Sequence, residues 1–222
     1  MCLCCSGFNR LFLSCEGLGY VHREHPRQDQ EHQDLHEIRT GARMTIREAA
    51  PQDAFGIARV HVGSWRTTYP GIMPQEHLDA LSVADRERKW TETLRADGPI
   101  RTLVYVAETD SGEIVGFVAG GAERAGDPEL HGEISALYLL QSQQGQGLGR
   151  RLVQTLARRL AQEGHGTLLI WVNVHNPARR FYEALGGVHA RTGSREIEGV
   201  TYDDIGYGWD AAAFARLILE KT

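Results

Sequence analysis

Between Gln143 and Arg151 the chain reads Gln-Gln-Gly-Gln-Gly-Leu-Gly-Arg-Arg, joining an apolar run to a leucine-rich one. Glycines let a backbone turn its N–H groups inward, and a helix start adds partial positive charge. Such a turn can cradle phosphate without a metal. Three kinds of cradle compete. A P-loop needs Gly-Lys-Ser/Thr, but Gly149 is followed by Arg150 and Arg151, which removes it. A dinucleotide fingerprint needs Gly-x-Gly-x-x-Gly, whereas Gly145, Gly147 and Gly149 are spaced Gly-x-Gly-x-Gly in mid-chain. The third pattern, Gln/Arg-x-x-Gly-x-Gly/Ala, is met by Gln144, Gly147 and Gly149. A second group of reactive side chains lies far upstream: Cys2, Cys4, Cys5 and Cys15, then His22, His25, His32 and His36. Cys2 and Cys5 are spaced Cys-x-x-Cys, but the second such pair of structural zinc is missing, so no metal site is expected.

The elements that must hold the glycine turn can be read from periodicity. Residues 45–49 alternate as a short strand, and Pro51 with Asp53 opens a helix carrying Ala54, Ile57, Ala58, His61 and Trp65 at helical spacing. Tyr69 to Pro74 is a break. A short helix over 75–81 follows, and Ser82 caps another over 83–95. Residues 102–108 and 114–119 form a hairpin about Asp110-Ser-Gly-Glu113, and 133–140 is a third strand. The turn then feeds a helix over 147–163 with Leu148, Leu152, Leu156 and Leu160 on one side. A continuously apolar strand at 167–174 is covered on both faces. A helix opens at Asn176-Pro177, strands at 188–197 and 200–209 flank Glu198-Gly199, and a helix runs from Ala211 to Glu220. The order predicts an α/β domain whose central sheet is mixed and mostly antiparallel, with flanking helices and one parallel junction.

This arrangement resembles the GNAT superfamily of acetyl-coenzyme A-dependent N-acetyltransferases over about residues 44–210. Beside the glycine motif, the resemblance rests on Glu133-Ile-Ser-Ala-Leu-Tyr-Leu and on Asn176-Pro-Ala-Arg-Arg-Phe-Tyr-Glu-Ala-Leu-Gly. It implies acetyl-CoA as cosubstrate, no metal, and acetyl transfer to a primary amine. Leu137, Tyr138 and Leu139 would meet the pantetheine arm and the acetyl group through the backbone of a bulged strand. Gly145, Gln146, Gly147, Leu148, Gly149 and Arg150 would hold the pyrophosphate. Tyr182 would protonate the departing thiolate, a proton transfer that a phenol can make; the alternative is a core aromatic. Asn176 would meet the coenzyme, although the family spacing to the tyrosine is seven residues and here it is six. His175 occupies that register, and Asn176 could simply cap its helix. An acceptor amine must be neutral to attack, so a carboxylate near the thioester would take its proton. Glu133 stands eleven residues before Gln144, the offset of the catalytic glutamate in the histone-acetylating branch. Strand alternation gives it the face of Ser135, Leu137 and Leu139, with His131 as the fallback base. The variable first helices build the acceptor pocket in this superfamily, which points to Trp65 and Tyr69; core packing would explain Trp65 as well.

With 41% apolar and 24% charged residues, the chain is neither collagen-like nor wholly disordered. Lys+Arg 24 against Asp+Glu 29 leaves a net charge of -5, so no nucleic-acid partner is expected. No run approaches the roughly 20 apolar residues of a membrane span, and none is expected to insert. Residues 1–43 are read as a Cys- and His-containing extension without a fold, and 44–222 as the acetyltransferase domain. Cysteines confined to the extension fit a reducing cytoplasm. The expected acceptor is a small molecule. A protein or peptide N-terminus and a non-catalytic acetyl-CoA-binding module are the alternatives, and a homodimer is left open.

Overall fold

The computed structural model describes residues 44–95 and 102–220; the extension expected over 1–43 lies outside them. The elements run β1 (Thr45–Glu48), α1 (Ala54–Thr68), α2 (Gln75–Asp79), α3 (Val83–Thr93), β2 (Leu103–Glu108), β3 (Ile114–Ala122) and β4 (Gly132–Leu139). They continue with α4 (Leu148–Gln162), β5 (Leu168–Asn173), α5 (Arg179–Ala184), β6 (Val188–Ile197), β7 (Val200–Trp209) and α6 (Ala211–Leu219). Seven strands form one sheet in the order β1-β2-β3-β4-β5-β7-β6. Only the β4–β5 pair is parallel. This is the mixed, mostly antiparallel α/β sheet that the order of elements predicts.

Local chemistry explains the joints. Glu198 and Gly199 both take positive φ, 51° and 78°, the signature of the two-residue turn whose twist matches a hairpin. Ser82 Oγ accepts from the Asp85 N–H at 3.2 Å, capping α3. Asp53 accepts from the Ala50 N–H at 2.8 Å and from the Arg47 guanidinium at 2.6 Å. That guanidinium holds the Asp53 carboxyl below its ordinary range and ties β1 to the entry of α1. In the loop between β3 and β4, Asp127 pairs with Arg191 of β6 at 2.7 Å. The Arg191 hydrogen bond lowers the Asp127 carboxyl to about 2, which fixes the loop that carries Arg124.

Each face of the sheet is covered. Leu148, Leu152, Leu156 and Leu160 of α4 pack with Phe214 and Leu217 of α6 on one face. On the other, Ile57, Trp65 and Trp90 pack from α1 and α3 over Phe117 and Tyr138. We call these the α4 face and the α1 face. β4 does not keep its faces along its length. Ala119 pairs with Ala136 but Gly120 pairs with Ile134, so Ser135 is an extra residue in a β-bulge. Ile134, Leu137 and Leu139 consequently all lie on the α4 face, and Ala136 and Tyr138 on the α1 face. Glu133, opposite in alternation to Ile134, therefore belongs to the α1 face. The expectation that it shares a face with Leu137 and Leu139 is corrected here: simple alternation fails across the bulge.

Gly120 is the glycine that this bulge requires. A Cβ there would stand 2.2 Å from the Glu133 carbonyl oxygen and 2.9 Å from a Leu156 methyl. Gly120→Ala should therefore destabilise by about 3 kcal/mol, because backbone cannot rotate out of the way. Gly166→Ala, where a Cβ meets nothing within 4 Å, should be close to neutral. Urea unfolding of both variants checks this; equal midpoints would refute the steric account.

Candidate active site

Parallel pairing of β4 with β5 covers only Gly132–Leu168, Glu133–Leu169 and Ile134–Ile170. Beyond the bulge the strands part, β4 staying with β3 and β5 with β7. The Leu140 N–H donates to Val115 O at 3.0 Å, which sets the phase of the β3–β4 ladder. Leu140, Tyr138 and Ala136 thus point their backbone groups to β3, and Leu137 and Leu139 point theirs into the wedge between β4 and β5. The Leu139 carbonyl accepts there from Ser64 Oγ at 2.9 Å and from Gln144 Nε2 at 3.3 Å. A strand edge left without a neighbouring strand can pair with an extended, amide-bearing chain as though with another strand, and Ser64 and Gln144 hold the Leu139 carbonyl in its place.

The glycine turn closes the same end of the wedge. Gly145 and Gly147 take φ of 75° and 78°, a region that favours glycine, and a Cβ on either would meet nothing within 4 Å. Gly147 is the N-cap of the 15-residue α4, and no side chain caps it. The N–H groups of Leu148, Gly149 and Arg150 form the first turn, where an α-helix has no internal acceptors. Leu148 is buried in the core, so backbone is all it offers. Gly149 lets α4 approach α5, since a Cβ would lie 3.3 Å from Phe181. A cavity of about 210 Å³ lies between Gly145, Gly147, Arg150 and Phe181. A second, of about 420 Å³, runs past Gln144 to Asn176 and Arg180. The Arg150 guanidinium is paired with Glu220 and donates to the Ala184 carbonyl; Gln146 donates to the Ser142 carbonyl at 3.1 Å.

On α5, Tyr182 is fully buried in the α4-face core, its ring 5.2 Å from Phe181 and 6.1 Å from Tyr207. Asn176 lines the second cavity, but its Oδ1 accepts from the Ala178 N–H at 2.9 Å. That bond closes the turn ahead of α5 and does not cap it, since α5 begins at Arg179 with Ala178 as its N-cap and without a side-chain cap. His175 is exposed, and its N–H donates to Asn173 Oδ1 at 2.9 Å.

Glu133, on the α1 face, is 4% exposed. Arg124 grips both carboxylate oxygens, Nε to Oε2 at 3.0 Å and Nη2 to Oε1 at 2.6 Å. His131 lies exposed beside the Pro128 carbonyl at 3.3 Å. The sequence reading did not single out Asp204, which lines with Glu133, Arg124, Trp171 and Arg195 a cavity of about 340 Å³. Asp204 is 5% exposed and its Oδ1 has no hydrogen-bond partner among the described residues. Burial pushes its carboxyl up, Arg195 at 3.5 Å pulls it back, and Asp203 pushes it up again. Only the fold could reveal this pair of carboxylates, because they are 71 positions apart and on different strands.

Trp65 and Tyr69 are core residues, 5% and 0% exposed. Their rings are 4.9 Å apart, and Trp65 Nε1 donates to the Tyr138 hydroxyl at 3.0 Å. Both side chains belong to the α1-face core. Next to them His61 stacks on Tyr138 at 4.5 Å and accepts from Trp90 Nε1 at 3.2 Å.

The comparisons agree with this geometry. The family model described as "Acetyltransferase (GNAT) family" matches residues 64–187. The "Uncharacterized N-acetyltransferase YuaI" of Bacillus subtilis (strain 168) is 35% identical over 179 residues, covering 80% of this chain and 99% of its own. Among solved structures, the PaiA N-acetyltransferase of Thermoplasma acidophilum in complex with coenzyme A superposes with a TM-score of 0.58 at 19% identity. It covers 76% of this chain and 99% of its own. The YncA acetyltransferase structure of Salmonella typhimurium with acetyl-CoA gives 0.57 at 22% identity, over 76% and 94%. A parted β4–β5 pair beside an uncapped glycine turn, a family match over more than half the length and a 35% identical relative lead to one conclusion: this chain belongs to the GNAT family of acetyltransferases.

Proposed function

We propose that the domain from Met44 onward transfers the acetyl group of acetyl-CoA to a primary amine on a small molecule. The observation that carries this is the continuity of two features: the edge of Leu137 and Leu139, with which β5 no longer pairs, runs into the glycine turn at the start of α4. The pantetheine arm lies along that edge with Tyr138 packed behind it. The pyrophosphate rests on the N–H groups from Gly145 to Arg150, with Gln146 and Asn176 bordering the coenzyme. Solved structures of the same fold that hold coenzyme A and acetyl-CoA support the binding of this coenzyme.

The amine approaches from the α1 face, where the cavity between Glu133 and Asp204 is small and charged. A carboxylate there takes the ammonium proton, and the freed lone pair attacks the acetyl carbon. As the C–N bond forms and the C–S bond breaks, Tyr182 protonates sulfur, and the proton lost by the new amide nitrogen restores the phenol. Trp65 and Tyr69 brace the wall behind Tyr138. Glu133 is the expected base. A specific observation favours Asp204 as a second reading: its Oδ1 is unpartnered while both Glu133 oxygens are held by Arg124.

Three measurements test these assignments. Gly147→Asp places a carboxylate before a cradle shaped for phosphate and should weaken coenzyme A binding roughly a hundredfold, about 3 kcal/mol, in calorimetry. Unaltered affinity would refute the cradle. Tyr182→Phe should leave that affinity intact and lower turnover by about 10²–10⁴-fold; a loss under tenfold excludes it as the acid. The base sets the acidic limb of the rate profile, since a protonated carboxyl cannot accept. Glu133→Gln should flatten that limb if Glu133 is the base. If Asp204→Asn flattens it instead, the limb in the parent should fall above the ordinary aspartate range, because burial raises that carboxyl. Coenzyme binding without turnover of any amine would favour a binding module.

A further inference from the structure

His61 stands on α1 and is 2% exposed. Its Nδ1 accepts from Trp90 Nε1 at 3.2 Å. An indole nitrogen only donates, so Nδ1 carries no proton and the hydrogen of the neutral ring is on Nε2. Burial, reinforced by Arg86 and Lys89, holds the imidazole well below its ordinary range, so the ring stays neutral and this tautomer persists. Nε2 is buried and has no hydrogen-bond partner among the described residues. A buried N–H without an acceptor is uncommon enough to require a reason.

The surroundings supply one. His61 lines a cavity of about 90 Å³ with Arg86, Lys89, Arg124 and the Ser135–Ala136 step of the β4 bulge. That volume matches about three waters. Among the described lining residues three carry positive charge and none is acidic. Arg124 also borders the adjoining cavity of Glu133 and Asp204. A cationic recess lined by a histidine whose buried Nε2–H is unpartnered thus shares Arg124 with a carboxylate-lined cavity.

We propose that this recess is an anion subsite of the acceptor pocket, binding a carboxylate or phosphate carried by the same molecule as the amine. The anion accepts from His61 Nε2–H and pairs with Arg86 and Lys89, while the amine end reaches the carboxylates beyond Arg124. The assignment of the recess to the acceptor rests on the acetyl-transfer reading above; its affinity for anions does not.

The experiment separates the two. The full chain, labelled with ¹⁵N, is titrated with sodium acetate and separately with inorganic phosphate at fixed ionic strength, following the His61 Nε2–H resonance. A saturable shift with either anion is expected, and the stronger one identifies the group. Arg86→Gln with Lys89→Gln, two changes outside the core, should weaken it at least tenfold and leave coenzyme A affinity unchanged. Acetyl-CoA turnover is then compared for alanine and alaninamide, and for phosphoethanolamine and ethanolamine. The anionic member of a pair should be preferred at least tenfold in kcat/KM, and the double variant should erase that preference. No saturable shift, a shift that survives the double substitution, or equal use of both members overturns the proposal. Failure to acetylate the anionic members while other primary amines are acetylated overturns the acceptor assignment and leaves the anion site standing; coenzyme binding without turnover of any amine overturns the acetyl-transfer reading instead.

Discussion

Two strands that run parallel side by side would normally pair along their whole length, and β4 and β5 do so for three residues before they part. The bulge at Ser135 enforces the separation. One extra residue bends β4 and raises its local twist, so its path after Ile134 follows β3 while β5 follows β7. The unpaired edge this leaves would be a liability in an ordinary sheet. Here the parted edge runs directly into the glycine turn, and the same distortion that exposes it also aims α4 along it. Gly120 is the condition for the bulge, since only a residue without Cβ fits against the Glu133 carbonyl.

The bulge also divides chemistry between faces. Before it, Glu133 points to the α1 face and Ile134 to the α4 face; after it, Tyr138 holds the α1 face and Leu137 the other. A carboxylate and an aromatic that straight alternation would place on opposite sides thus look the same way. The backbone edge serves the coenzyme, and the α1-face side chains serve whatever approaches from the other side. Charge follows this division. The glycine turn offers N–H groups and the α4 dipole, whereas the α1-face cavity pairs Glu133 with Arg124 and Asp204 with Arg195.

Much of this was legible in the sequence where a local signal exists. Among the described residues each strand and α-helix answers to a local signal, although β3 runs on to Ala122 and α5 begins at Arg179 rather than at Asn176; Glu198-Gly199 sets the bounds of β6 and β7, both residues taking positive φ. The glycine turn announced itself by spacing. What escaped is non-local. The Ile-Ser-Ala-Leu run around the bulge has no glycine or proline to mark the extra residue, so parity gave Glu133 the wrong face. Asn176 could be read either as a ligand or a cap; in the fold its oxygen closes the turn before α5 through the 2.9 Å bond to Ala178, while the residue also lines the cavity beside the glycine turn. Trp65 and Tyr69, aromatics at the end of the first helix, fit a pocket wall or a core, and their burial became visible only in the fold. Asp204 carried no signal at all, being an acid in an alternating hairpin strand.

Why bury a histidine among Trp65, Trp90, Phe117 and Tyr138? An aromatic residue in its place would pack at 4.5 Å on Tyr138 without a desolvation cost for polar nitrogen. Half of that cost is offset by the Trp90 indole, whose own N–H would otherwise be orphaned in the core. The pairing also sets the tautomer, so the ring presents a fixed N–H rather than a titrating group. Tyr138 transmits that rigidity to β4: its hydroxyl is held by Trp65 at 3.0 Å and its ring by His61, three residues beyond the bulge. The aromatic cluster therefore keeps the distorted half of β4 in register, and with it the open edge on the opposite side of the same strand. Packing on the α1 face and a backbone edge facing β5 are in this way one structural unit, held through a single tyrosine.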